Sequence, residues 1–162
     1  MGEACVNRKL NRRRFGFSLI ELLIVITIIV IILTVAVPRL TKARMYAQEM
    51  AAVQAIKAVH QAESLYYSQY GKFAVSLAEL GPPTGGAADS PAASNLIQED
   101  LATGEKQGYR FTLTASPGGY VINAAPLVFG TNGSRTFWSD QTMTVRQHYG
   151  QEPATASSEM MK

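Results

Sequence analysis

Residues 17–37 read FSLIELLIVITIIVIILTVAV. Only Ser18, Glu21, Thr27 and Thr34 are polar in that run. As an α-helix it spans roughly 30 Å, the thickness of the hydrocarbon core of a bilayer. The stretch therefore predicts a helix that crosses a membrane or packs with others of its kind. Glu21 is the anomaly. An acidic residue costs about 2.5–3.5 kcal/mol at the centre of such a segment, and less near an end.

The flanks set a direction. Before the run stand Arg8, Lys9, Arg12, Arg13 and Arg14 against Glu3 alone, so the first 16 residues hold +4 of charge. The formal net charge of the whole chain is +3, which leaves the remainder near neutral at −1. The basic character thus describes an arm, and no direct nucleic-acid binding is expected of the rest. Cations beside an apolar helix place the N-terminus in the cytoplasm and everything after Pro38 across the membrane. Cys5, in the arm, is the only cysteine, so the exported part can form no internal disulfide.

Three readings of the first forty residues compete. A cleaved secretory signal has a weak small-x-small site at Thr34-Val35-Ala36 in its favour, and a charge within a long run rich in Ile and Val against it. An uncleaved single-pass anchor explains the length and the basic flank, with Glu21 reaching to the interface. A cut between Gly16 and Phe17 explains more. It creates an α-amino group on Phe17, cationic near neutral pH, four residues before Glu21. Within one helix the two charges meet only loosely. Between neighbouring helices, Glu21 of one copy can neutralise Phe17 of the next. Such head-to-tail contacts do not close, and they build helical filaments. In a dry bundle of apolar helices, unpaired charges are costly and a matched pair removes that cost, which selects one axial register.

GFSLIELLIVI, at Gly16 to Ile26, resembles the cleavage and methylation motif of type IV pilins and the related type II secretion pseudopilins. The shared features are Gly last in the leader, Phe first in the mature chain, Glu fifth, and an apolar run. Pro38 falls where many of these proteins bend their helix. The resemblance implies that a prepilin peptidase cuts after Gly16 and N-methylates Phe17, and that Glu21 serves subunit docking. It also implies a homopolymer built at the inner membrane by an assembly ATPase, a platform protein and, in an outer-membraned cell, a secretin. The precursor would sit in the inner membrane and the mature chain in a filament.

Beyond Pro38 the pattern is amphipathic. Met45, Ala52, Ile56, Val59, Tyr66 and Tyr70 recur at helical steps, with Lys42, Lys57 and Gln61 off that stripe. Gly71 suits a helix C-cap, so one helix is expected from about Ser18 to Tyr70, kinked or loosened at Pro38, which lacks an amide donor. Tyr66, Tyr67 and Tyr70 fit core packing better than charge transport. Ser76-Leu77-Ala78-Glu79 matches a capping box opening a short helix. Residues 84–95 read as a flexible surface loop. YRFTLTA (109–115), YVINAA (120–125), RTFWSD (135–140) and MTVRQ (143–147) read as strands, and residues after 150 as a disordered tail. The expected fold is α+β: a long N-terminal helix packed on a small antiparallel sheet of three or four strands, the pilin fold. Its segments are a leader (1–16), a membrane or filament-core helix (17–38), the amphipathic half (39–71), a head (72–149) and a tail (150–162).

No constellation for catalysis, metal or cofactor binding is visible: the chain has no Walker loop, HExxH, CxxC or G-x-S-x-G. His60 and His148 are isolated in sequence. Asp140 suits a turn cap better than a cation site, and Asn132-Gly133-Ser134 is a turn signal as well as a sequon. The sequence favours a type IV pilus subunit. A type II secretion pseudopilin and an uncleaved, membrane-anchored binding module remain as alternatives.

Overall fold

The computed structural model describes residues 17–86, 88–116 and 118–161. The leader, with Gly16 at its end, lies outside them. Helix α1 runs from Leu19 to Tyr70, and its helical backbone continues through Pro38. It stops at Gly71, whose φ of 70° is left-handed and whose amide donates to the Tyr67 carbonyl at 2.8 Å. A residue with a Cβ resists that conformation, so glycine sets the helix end. Contacts divide the chain into two units, one ending at Pro38 and the other beginning at Arg39.

In the second unit, the sheet is a six-stranded antiparallel meander in chain order. Its strands are β1 (Glu105–Lys106), β2 (Tyr109–Ser116), β3 (Gly119–Pro126), β4 (Arg135–Asp140), β5 (Arg146–Tyr149) and β6 (Glu159–Met160). Two short helices, α2 (Leu77–Leu80) and α3 (Glu99–Ala102), lie between α1 and the sheet in sequence. The register aligns Phe111 with Ala124 and Ala124 with Phe137, and likewise Leu113, Ile122 and Ser139. Because strand side chains alternate, these rows share one face. That face and the buried side of α1 (Ala52, Ile56, Val59, Tyr66) form a single apolar cluster. A sheet this small buries little by itself, and the helix supplies the missing half of the core.

Several expectations need correcting. The sheet has six strands, not three or four. The last hairpin strand begins at Arg146, not at 143, because Met143 takes a φ of 61° within the turn. The segment after 150 is not a free tail. The Met161 amide donates to the Val145 carbonyl at 3.0 Å, Thr136 Oγ1 donates to the Glu152 carbonyl at 2.8 Å, and Ala154 is buried. Small polar side chains gave no apolar signal, yet the backbone they carry covers the edge of β5, which an open sheet would leave unpaired.

The loop over 84–95 is likewise tied down. Ser94 donates its amide and its hydroxyl to the Glu79 carbonyl, both at 2.8 Å, and Tyr66 Oη donates to the Pro91 carbonyl at 2.7 Å. The helix after Ser76 forms, but without a capping box: the Ser76 side chain makes no cap bond. Glu79 Oε2 instead accepts the Val75 amide at 3.1 Å. At Asn132-Gly133 the glycine serves close approach. A Cβ there would overlap the Tyr109 hydroxyl, which donates to the Arg135 carbonyl at 2.9 Å. Of the three tyrosines near the end of α1, Tyr66 is fully buried and its ring packs at a tilt against Tyr70, with centroids 4.7 Å apart, while Tyr67 is half exposed.

Candidate assembly site

Phe17 precedes the first turn of α1 and is 83% exposed; Glu21 lies within that turn and is exposed. Neither side chain makes a hydrogen bond or ion pair among the described residues. Every residue from Phe17 to Val37 is exposed, including the thirteen Leu, Ile and Val positions from Leu19 to Leu33. The two threonines are satisfied internally: Thr27 Oγ1 donates to the Leu23 carbonyl and Thr34 Oγ1 to the Ile31 carbonyl, each at 2.7 Å. Their hydroxyls therefore add little cost in a membrane, whereas the Glu21 carboxylate has no such local partner. α1 is long and apolar enough to cross a membrane.

The second unit is built around polar contacts that the sequence did not announce. Glu49 on α1 is buried against β4. Its Oε2 accepts from Arg135 Nη2 at 2.6 Å and Nε at 2.9 Å, while its Oε1 accepts the Ser134 amide at 2.8 Å and hydroxyl at 2.9 Å. Burial alone would raise the Glu49 carboxyl. The Ser134 and Arg135 donors outweigh it and hold the group below its ordinary value. Arg135 also lies over the rings of Phe137 and Tyr149.

His60 links α1 to two strands. Ser139 Oγ donates to the Thr144 carbonyl at 3.0 Å, so its oxygen must accept from His60 Nε2 at 2.8 Å. His60 Nδ1 is then the acceptor for the Tyr120 hydroxyl at 2.7 Å. The network fixes a neutral imidazole, in keeping with a pKa lowered chiefly by burial. The histidine isolated in sequence is thus fully partnered in space. Glu63, fully buried, accepts the Ala74 amide at 3.0 Å through Oε2, while its Oε1 has no partner. Burial, with nearby Glu79, pushes its pKa up to about 7. Asp140 Oδ1 accepts the Thr142 amide at 3.0 Å, the turn cap expected of it.

Sequence reasoning passed over Glu49 and Glu63, although a signal was present. Met45, Glu49, Ala52, Ile56, Val59, Glu63, Tyr66 and Tyr70 form one unbroken series of three- and four-residue steps. An acidic residue in register with an apolar stripe faces the core and requires a buried donor.

Residues 11–37 match the prokaryotic N-terminal methylation motif. No curated protein matches the chain. That motif, leading into an exposed apolar helix whose later half packs on an antiparallel sheet, supports a likeness to type IV pilins and pseudopilins.

Proposed function

We propose that this protein is a structural subunit of a type IV pilus. It is made as an inner-membrane precursor with its N-terminus in the cytoplasm and its head outside. A prepilin peptidase cuts after Gly16 and methylates Phe17, and the subunit then polymerises with copies of itself through α1. Glu21 of one copy accepts the Phe17 ammonium of another. Pro38, which lacks an amide to continue the ladder, is the point where α1 yields during packing. The energy comes from an assembly ATPase acting through a platform protein, with a secretin as the exit. The carrying observation is the pairing of a wholly uncovered apolar segment with one unpartnered carboxylate in its first turn.

The test is the mass of the N-terminal peptide of protein sheared from cells. N-methylated Phe17 in that fraction supports cleavage and surface polymerisation together. An intact arm, with the protein confined to membranes, would favour an uncleaved anchored module. Processed protein that never reaches the sheared fraction would favour a pseudopilin.

A further inference from the structure

Three cations follow the apolar run at once: Arg39, Lys42 and Arg44. All are exposed, and no acidic residue follows before Glu49. None of their side chains has a hydrogen bond or ion pair among the described residues, as is also true of Lys57 and Lys72, whereas Arg110, Arg135 and Arg146 of the same unit are engaged. At 100° per residue, Lys42 lies about 60° to one side of Arg39 and Arg44 about 140° to the other. The charges therefore spread over more than half the circumference of the helix. A protein docking on one face would read a strip, whereas a headgroup layer surrounds the helix. Cations on the exported flank also run against the usual charge bias of membrane segments, so their presence asks for a local partner.

A second feature adjoins them. The Glu49 contacts to Ser134 and Arg135 pin the β3–β4 loop to α1 just beyond Met45. Thr131 and Asn132 of that loop face Arg44 and Gln48 across a cleft of about 530 Å³. The amides of Thr131 and Asn132 both donate to the Val128 carbonyl, at 3.2 and 2.9 Å. The turn so formed leaves Leu127, Val128 and Phe129 exposed by 41, 54 and 39%. An apolar tip beside unpaired cations is the composition that binds a membrane interface. All three cations stand within six residues of Pro38, and long basic side chains can extend their charges toward a headgroup layer.

We propose that Arg39, Lys42 and Arg44, with the apolar tip Leu127–Phe129, form a surface that seats on the headgroups of anionic phospholipids in the outer leaflet. The inference rests on α1 crossing the bilayer as proposed above. It makes the lipid composition a control on how firmly the unassembled subunit is held.

The full chain, with Cys5→Ser, would be nitroxide-labelled at Val128→Cys or, as a control, at Ile29→Cys. Each would be placed in vesicles of phosphatidylcholine alone and of phosphatidylcholine mixed with phosphatidylglycerol. Collision rates with oxygen and with a water-soluble nickel chelate then report depth. The Ile29 label should sit in the oxygen-rich core in both lipids. The Val128 label should lose nickel contact severalfold when phosphatidylglycerol is added, and R39Q/K42Q/R44Q should abolish that difference. An immersed Ile29 label with a Val128 label indifferent to lipid charge overturns the inference and leaves the spanning helix standing. An Ile29 label open to nickel overturns the spanning helix itself. Protection of Val128 that follows protein density rather than lipid charge assigns the surface to contacts between copies, which also overturns the proposal.

Discussion

Glu63 has no rotamer-independent reason to be charged where it lies: one oxygen takes a single amide and the other takes nothing. A carboxyl with a pKa near 7 in the fold and about 4.5 in the unfolded chain binds its proton more tightly when folded. The stability it contributes is therefore complete below about pH 4.5 and is lost as the pH rises through 7, a change on the order of 3 kcal/mol. His60 acts with the opposite sign. Its lowered pKa removes stability as pH falls below its ordinary value of 6.5. The two effects overlap, so the comparison must be with a variant. Glu63→Gln keeps an acceptor for the Ala74 amide and cannot ionise. Urea unfolding of the full chain in detergent, followed by Trp138 fluorescence, should show that the variant gains on the wild-type protein from about pH 4.5 to about pH 7 and that the gain levels off above it. A constant difference across that range would mean that Glu63 does not titrate in the fold.

The contact between α1 and β4 depends on a buried ion pair, and its energetics are asymmetric. Glu49→Ala leaves the Arg135 guanidinium buried and unpaired and should cost about 3–5 kcal/mol. The double variant Glu49→Leu, Arg135→Met removes both charges and should recover most of that loss in the same unfolding measurement. Equal destabilisation by both variants would show that the pair acts through packing alone. At the other edge of the sheet, removal of residues 151–162 should lower the melting temperature by several degrees, since it strips β6 from β5 and the Glu152 acceptor from Thr136. An unchanged melting temperature would return that segment to the status of a loose tail.

These cases also show what the sequence could and could not announce. The 109–115 and 120–125 strands were legible because one face is buried and one is wet, so the pattern alternates. β1 and β6 span two residues each and are held by backbone bonds that no side-chain pattern records. Pairing partners such as Glu49 with Arg135, or His60 with Tyr120 and Ser139, are distant in sequence, so only the fold brings them together. Glu21 stands out from the sequence because a carboxylate in an apolar run is conspicuous without any fold.

The molecule divides its polar obligations unevenly. The unit from Arg39 onward meets most of its own, through Glu49, His60 and the loop hydrogen bonds. In residues 17–37, Thr27 and Thr34 bond within their own helix and the apolar side chains are left exposed, a surface that suits lipid or other copies of the chain. Transfer of an apolar helix from lipid to a bundle of similar helices gains nothing from the hydrophobic effect, because lipid tails are as apolar as leucine. Close packing favours such a bundle, but it does not choose among axial offsets of nearly equal fit. A charge pair that must be matched in a dry core does choose. Glu21→Ala should therefore separate two steps. Insertion should proceed at least as well as before, since a costly side chain is gone, and cleavage after Gly16 should be normal. Assembly should fall sharply. The measurement is the ratio of processed protein in sheared filaments to processed protein in membranes, compared with wild type and with Glu21→Asp. Aspartate keeps the charge on a shorter arm and should restore part of the yield. Wild-type filament yield from Glu21→Ala would show that the register is set elsewhere along α1, and the exposed carboxylate would then need another partner.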